Sequence, residues 1–392
     1  MQTLINHTDA EMKIITPDDG YHYFFAYYDM RATGKNGQNL RHLCHRVTFF
    51  DRLPTAEDVA EIGYLEDGKF VKIAETTAWN FQQGAMLQYH PYLDNTVYYN
   101  VCENGKFMTV THNFVTGEKQ YTDRATACVS PDGKWGLAVN FGRIFAFRPG
   151  YGYAAFVDEN ESVNAPEDDG VFLVDMETGK SELILSYAHM AGVSGLADDA
   201  KILVNHITFS PDCNRFVMLT RDFPIYVDGK PKWHTSLMVG DRQGNMHTLI
   251  PAGYASHYFW TDDEHLLIHC GIEGQNGLYL INVISGEWKR YDAPYLDGDS
   301  FVRDIHCSIS PDGNYIIGDS YPYEGYRHVV AYSLKTGEIR TLASALNHRD
   351  ILNDCRCDLH ARFVWGGSAI TFDSIHDRRR EIVCISTDCL NF

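Results

Sequence analysis

Two short turn signatures recur along this chain at intervals of roughly 40 to 65 residues. One is a glycine turn after an apolar strand: Glu66-Asp67-Gly68-Lys69, Val115-Thr116-Gly117-Glu118, Glu177-Thr178-Gly179-Lys180, Arg242-Gln243-Gly244-Asn245, Ile284-Ser285-Gly286-Glu287 and Lys335-Thr336-Gly337-Glu338. The other is Ser130-Pro131-Asp132-Gly133, Ser210-Pro211-Asp212 and Ser310-Pro311-Asp312-Gly313, with weaker forms at His90-Pro91, Thr261-Asp262-Asp263 and Val364-Trp365-Gly366-Gly367. Proline presets the first turn position and glycine supplies positive φ, so both read as hairpins of a four-stranded meander. Repetition at this period predicts an all-β, seven-bladed β-propeller forming one domain over residues 1–392. The blades fall near 21–75, 76–123, 124–184, 185–250, 251–292, 293–343 and 344–392. The last runs out at its third strand, Arg380 to Ile385, and its missing outer strand is expected at residues 10–16, so that the N-terminus closes the ring.

Composition agrees: 13% aromatic residues, 24 Tyr, 21 Phe and 32 Gly suit strands joined by tight turns. With 33 Lys+Arg against 52 Asp+Glu the net charge is −19, which argues against a nucleic-acid partner. No apolar run is long enough to span a bilayer and no secretory signal is visible, so no membrane partner and a cytoplasmic location are expected. The ten cysteines are scattered without a C-x-x-C pair and read as reduced, buried, small apolar residues.

The repeat also fixes which end of the ring each residue faces. Four residues before each Ser-Pro-Asp serine, or its equivalent, stand His206, His257, His306 and His360 in blades four to seven, with Met86 and Thr126 at that place in blades two and three. Histidines at one position of consecutive inner strands converge on the axis. Clustered imidazoles repel when protonated and gain from a shared cation, so His206, His257, His306 and His360 are expected to hold a divalent metal, Mn or Zn first, with Cys307, Cys357 and Asp358 as nearby supports. His90 and His112 are expected to face the other end.

The same end should collect Tyr28, Asp29, Asn80, Gln83, Asn100, Arg221, Asp319, Tyr321 and a long excursion of blade three carrying Arg143, Arg148, Tyr151 and Tyr153. Arginines, tyrosines and amides at one mouth of an acidic chain are what a small anionic ligand requires. Arg143 and Arg148 could equally pair with acids of the 157–169 stretch, and Tyr151 and Tyr153 could equally pack between loops.

The segments His206-x-x-x-Ser-Pro-Asp, His306-x-x-x-Ser-Pro-Asp-Gly and Asp358-Leu359-His360-Ala361-Arg362-Phe363, with Phe372-Asp373-Ser374 downstream, resemble the seven-bladed propeller polysaccharide lyases typified by oligogalacturonate lyase, a group with ulvan and rhamnosyl-glucuronate members. The resemblance implies β-elimination at a uronic acid: a base takes the C5 proton, a cation neutralises the enolate, and the C4–O bond breaks. It implies an anionic oligosaccharide substrate, metal ligands at His257 and His306 joined by His360, and a catalytic histidine at His206. That last role conflicts with His206 as a fourth ligand, and both stay open. Arg148 and Arg221 would bind carboxylate and enolate, and His206 or a tyrosinate such as Tyr153 would act as base, with Arg143, Tyr151, Gln83, Asn80 and Tyr321 contacting substrate. The chain departs from the oligogalacturonate pattern in lacking a Gln with its ligand histidines, since Arg303, Asp304 and Ile305 precede His306 and Cys357, Asp358 and Leu359 precede His360. Two other classes compete: a non-catalytic propeller that binds oligosaccharide or protein partners, and a metal-dependent hydrolase or epimerase of sugar acids.

Overall fold

The computed structural model describes residues 2–34, 41–291 and 304–392. Seven antiparallel sheets form a seven-bladed β-propeller. The innermost strands are His22–Phe24, Gln88–Tyr89, Thr126–Val129, Ile202–Phe209, Ala255–Trp260, Ile305–Ile309 and Arg362–Val364. The blade boundary expected at 292/293 lies outside the described residues, as does Arg303. Among the described residues, no helix is long and apolar enough to cross a membrane.

The ring closes as the sequence predicts. Met12–Ile14 forms the outer strand of blade seven against Glu381–Ser386, with Lys13 opposite Cys384. The same N-terminal arm does one thing more: Leu4–Asn6 adds a fifth strand to blade six, Leu4 lying opposite Ala345. One segment thus covers the outer edges of two neighbouring blades, which would otherwise expose unpaired backbone donors and acceptors.

Each Ser-Pro-Asp turn is a small polar lock. The hydroxyls of Ser130 and Ser210 donate to Asp132 (2.5 Å) and Asp212 (2.6 Å) and accept the backbone N–H of Trp135 (3.0 Å) and Arg215 (3.1 Å). Gly133 and Gly313 take φ of 72° and 73° at the end of the turn, and Cys213 stands in the glycine's place at φ 61°. Where blade five meets blade six the core is largely aliphatic, with Leu267, Ile305, Ile316 and Val330 packed together. Each such buried side chain contributes about 1.5–3 kcal/mol. All ten cysteines are free.

Two irregularities build one end of the ring. In blade three the connection between Trp135–Ala138 and Gly170–Asp175 carries the helix Phe141–Phe147, capped by the Asn140 side chain accepting from Arg143 N–H. In blade one the inner strand pairs through Phe24 opposite His45, breaks away, and returns at Ala32, whose carbonyl accepts from Leu43 N–H (2.9 Å). The excursion between, Phe25 to Arg31, holds Tyr27 and Tyr28, each only 2% exposed.

Candidate functional site

The inner strand of blade six pairs without a break through His306, but those of blades four and five do not run straight through the histidine position. Their pairing registers shift between Asn205 and Ile207 and between Ala255 and Tyr258, and His206 and His360 have left-handed φ of 45° and 46°. Met86, at the equivalent place in blade two, shares this conformation at φ 55°. A β-bulge re-aims the side chain at its crest, and a non-glycine residue held there costs of the order of 1–2 kcal/mol. The fold sustains that strain at His206, His360 and Met86, whereas His257 and His306 reach the axis without left-handed φ.

The four rings meet there around Tyr27, whose ring centroid lies 5.0 Å from His206, 6.3 Å from His257, 6.0 Å from His306 and 4.8 Å from His360. His257 and His306 are 3.9 Å apart, and His306 and His360 4.5 Å. Sequence reasoning named Tyr28 and Asp29 but missed Tyr27. Blade one has no Ser-Pro-Asp signature, so counting along the repeat could not reach it; the run Tyr23-Phe24-Phe25-Ala26-Tyr27-Tyr28, too apolar for one strand facing a wet channel, was the available signal.

Acceptors behind the rings fix their tautomers. His257 donates through Nδ1 to Asp304 (3.0 Å), His306 through Nδ1 to Asp319 (3.1 Å), and His360 through Nδ1 to the Ala26 carbonyl (3.1 Å). These acceptors leave Nε2 of all three as a lone-pair atom, the arrangement metal-ligating histidines show. The Nε2 atoms of His306 and His360 are buried and have no hydrogen-bond partner. His206 is built the other way: its Nε2 donates to Asp29 (2.8 Å), its ring stacks on Tyr258 at 4.1 Å, and Nδ1 is the bare, buried atom.

Ligand atoms of His306, Asp358 and His360 lie within 4.8 Å of one another, a spacing that an ion with bonds of about 2 Å closes after small shifts. Two nitrogens and a carboxylate oxygen, with His257 alongside, fit a divalent cation. Cys307 and Cys357 do not join that group, and burial pushes both thiols up, Cys357 to about 12. Burial pulls His257 down to about 4 and His360 well below the ordinary histidine range, the latter with help from the His306 charge. At His306 burial also pulls down, but Asp319, Asp358 and Asp304 outweigh it and the pKa rises. Asp358 stays ionised because Arg356 and Arg327, in ion pairs of 2.6 Å each, overcome its burial.

The arginines of the mouth sort by their partners. Arg221 is 6% exposed, its Nε has no hydrogen-bond partner, and among the described residues it forms no ion pair. Burial and the neighbouring Arg148 lower its pKa, while Tyr27, Tyr151 and Asp304 face it from the ring side. Arg148 caps the helix Phe141–Phe147, lies over the Tyr151 ring at 4.7 Å and reaches only a distant Asp354 at 4.0 Å. Tyr321 borders the ring, 6.0 Å from His306.

Several expected site residues have other work. Arg143 is fully buried, paired with Asp158 at 2.8 Å and donating to the carbonyls of Ile202, Asn160, Val163 and Asn164; it staples the excursion to the blade and is not a substrate contact. Tyr153 is also fully buried, stacked on Phe141 at 4.2 Å and accepting from Asn100 (2.9 Å), and burial raises its phenol, so it is no base. Asn80 caps its own turn by accepting from the Gln82 and Gln83 N–H groups. Tyr151, 3% exposed, accepts from Arg356 (3.0 Å) and serves as a platform for Arg148. Gln83 points into a cavity along the axis. His90 accepts the N–H groups of Tyr92 and Leu93 in its own turn, and His112 bonds the Tyr99 hydroxyl; both are structural.

The sequence matches no protein-family profile, and no curated protein is significantly similar to it. Solved structures do share its shape. An oligogalacturonate lyase in complex with manganese aligns at TM-score 0.65 and 14% identity, over 98% of this chain and 97% of that one. The oligogalacturonate lyase of Vibrio parahaemolyticus aligns at 0.65 and 15%, over 98% and 96%. A prolyl endopeptidase aligns at 0.52 and 10%, over 96% of this chain but 48% of its own. At such identities the likeness is one of fold, and the chemistry has to come from the site.

Proposed function

We propose that this protein is a carbon–oxygen lyase that cleaves short uronic-acid-containing oligosaccharides by β-elimination. The observation that carries the reading is Arg221, an unpaired, nine-tenths buried cation set beside a cluster of histidines with bare ring nitrogens. A buried charge without a partner is costly, and a carboxylate brought to it by a ligand removes that cost. Arg221 and Arg148 would take the substrate carboxylate and stabilise the charge that grows there as the C5 proton leaves.

His306, His360 and Asp358, with His257, would hold a divalent ion; manganese, present in one of the similar structures, suits this nitrogen and oxygen set. Such an ion supplies Lewis-acid polarisation of the carboxylate. His206 suits the role of base better than that of fourth ligand, because Asp29 holds its Nε2–H and leaves Nδ1 free to accept. The C5 proton passes to Nδ1, the electron pair forms the C4–C5 double bond, and O4 departs with its bonding pair and takes a proton from water. Asp29 then faces an imidazolium it can stabilise. The ten free thiols fit a reducing compartment, and we place the protein in the cytoplasm.

Purified protein offered a panel of uronic-acid oligosaccharides should raise the ultraviolet absorbance of a conjugated unsaturated uronate, and a chelator should suppress the rise. A reducing end that appears with no such absorbance would move the assignment to a hydrolase. No reaction in metal-loaded protein would move it to a binding propeller.

A further inference from the structure

A cavity lies along the axis beneath the histidine ring, with His206, Tyr27 and Asp29 in its wall; it is bounded by blades two to five and by the excursion of blade one, and it reaches Pro131 and Pro211 of the Ser-Pro-Asp turns. Its volume is about 220 Å³, room for a small molecule and for little more. Two residues beyond the ring position on each inner strand stand Gln88, Cys128, Thr208 and Phe259, and all four line it.

Three polar side chains in this space have unused bonding capacity. Gln83 and Gln88 are 7% and 6% exposed, and neither side-chain amide makes a hydrogen bond within the protein among the described residues. Arg31 donates through Nε to the Tyr89 carbonyl (2.9 Å), but its Nη2 is buried without a partner. The groups that face this guanidinium are Tyr98, Cys128 and Tyr92, and no described carboxylate lies within ion-pair distance. The one carboxylate in the cavity, Asp29, already accepts from His206. A buried cation's donors are ordinarily satisfied, so the bare Arg31 Nη2, with two amides of open bonding capacity lining the same void, calls for an absent partner. That partner must be small, must bring an anionic group to Arg31, and must bring oxygens that both accept from and donate to the amides.

We infer that this axial cavity, which shares the His206 wall with the mouth but is anchored on other residues, is a second ligand site for a small polyhydroxy monocarboxylate: carboxylate on Arg31, hydroxyl or carbonyl oxygens on Gln83 and Gln88. It does not depend on the lyase reading, since Arg31 and Gln88 belong to no step proposed for the mouth.

The test is calorimetric titration of full-length Arg221→Met protein, in which the mouth has lost its anchor, with D-glucuronate, D-gluconate and acetate. One binding event is expected for the sugar acids and a weaker one for acetate. Arg31→Met on that background should weaken binding by about tenfold to a hundredfold, and Gln88→Leu by about fivefold, as loss of charged and neutral hydrogen bonds implies. Absence of binding to the Arg221→Met protein overturns the inference, as does an affinity that neither second substitution changes. Should Arg31→Met fail to fold by circular dichroism, Gln88→Leu decides alone. Because the site is read with Arg221 removed and elimination is assayed with Arg221 intact, either conclusion can fall without the other.

Discussion

Replacing Arg221 by methionine should make the protein more stable and nearly inactive. The guanidinium stays charged at any ordinary pH, is 6% exposed, and has a buried Nε without a partner. An unsatisfied buried polar group costs about 1–3 kcal/mol, and an apolar chain of similar length removes that cost while filling the same space. Unfolding entropy of about 2.1 cal/mol/K per residue gives about 0.8 kcal/mol/K over 392 residues, so the melting temperature should rise by about 1–4 °C. The same change removes the donor that holds the carboxylate as charge develops on it, which should lower kcat/KM on a uronide by about 100- to 1,000-fold. Thermal scans and initial rates on one preparation test both halves. A variant that melts lower and keeps its activity would show Arg221 to be structural, and the argument from its unpaired charge would fail.

Other outcomes follow from the same structure. His306→Ala should lose metal and activity together, read by elemental analysis of dialysed protein; full metal stoichiometry in the variant would contradict the ring of ligands. His45 donates through Nδ1 to Phe25 O (2.5 Å) and accepts from Ala85 N–H (3.0 Å), and burial holds its pKa at about 4. The folded protein therefore binds fewer protons than the unfolded chain between about pH 6.5 and 4, so stability falls with pH across that window, by about 2 kcal/mol from this group at pH 5. Urea midpoints at pH 7.5 and 5 measure the loss, and His45→Gln should flatten the dependence; equal flattening by a substitution at the exposed His234 would assign the effect elsewhere. Deleting residues 2–16 uncovers the edges beside Leu346 and Ser386 and breaks bonds such as Ile15 N–H to Ile382 O (3.0 Å), so it should cost more than about 3 kcal/mol and promote association. An unchanged midpoint and a monomeric deletion variant would contradict the closure.

What could be read in advance was what the repeat controls. A propeller carries one repeat position around its axis, so four histidines in register had to meet, and they do. The pairing of residues 10–16 with the last blade was legible for the same reason: the count of strands was one short. What escaped depends on tertiary placement. Arg143 and Arg221 look alike in the sequence, yet one meets Asp158 and four carbonyls and the other, among the described residues, has a bare Nε and no ion pair. Tyr153 and Tyr151 were placed at the mouth by loop length, but the excursion coils into a helix that turns Tyr153 inward onto Phe141. The fifth strand on blade six and the Tyr27 plug come from segments that belong to no repeat unit, and no period points to them.

The most direct test of the central claim is the mass of the products formed from a single defined uronic-acid disaccharide or trisaccharide by the metal-loaded protein. β-Elimination predicts fragments whose masses sum to that of the substrate, one of them an unsaturated uronate. Fragments that together carry one added water would make the protein a hydrolase and would contradict the roles assigned to His206 and Arg221.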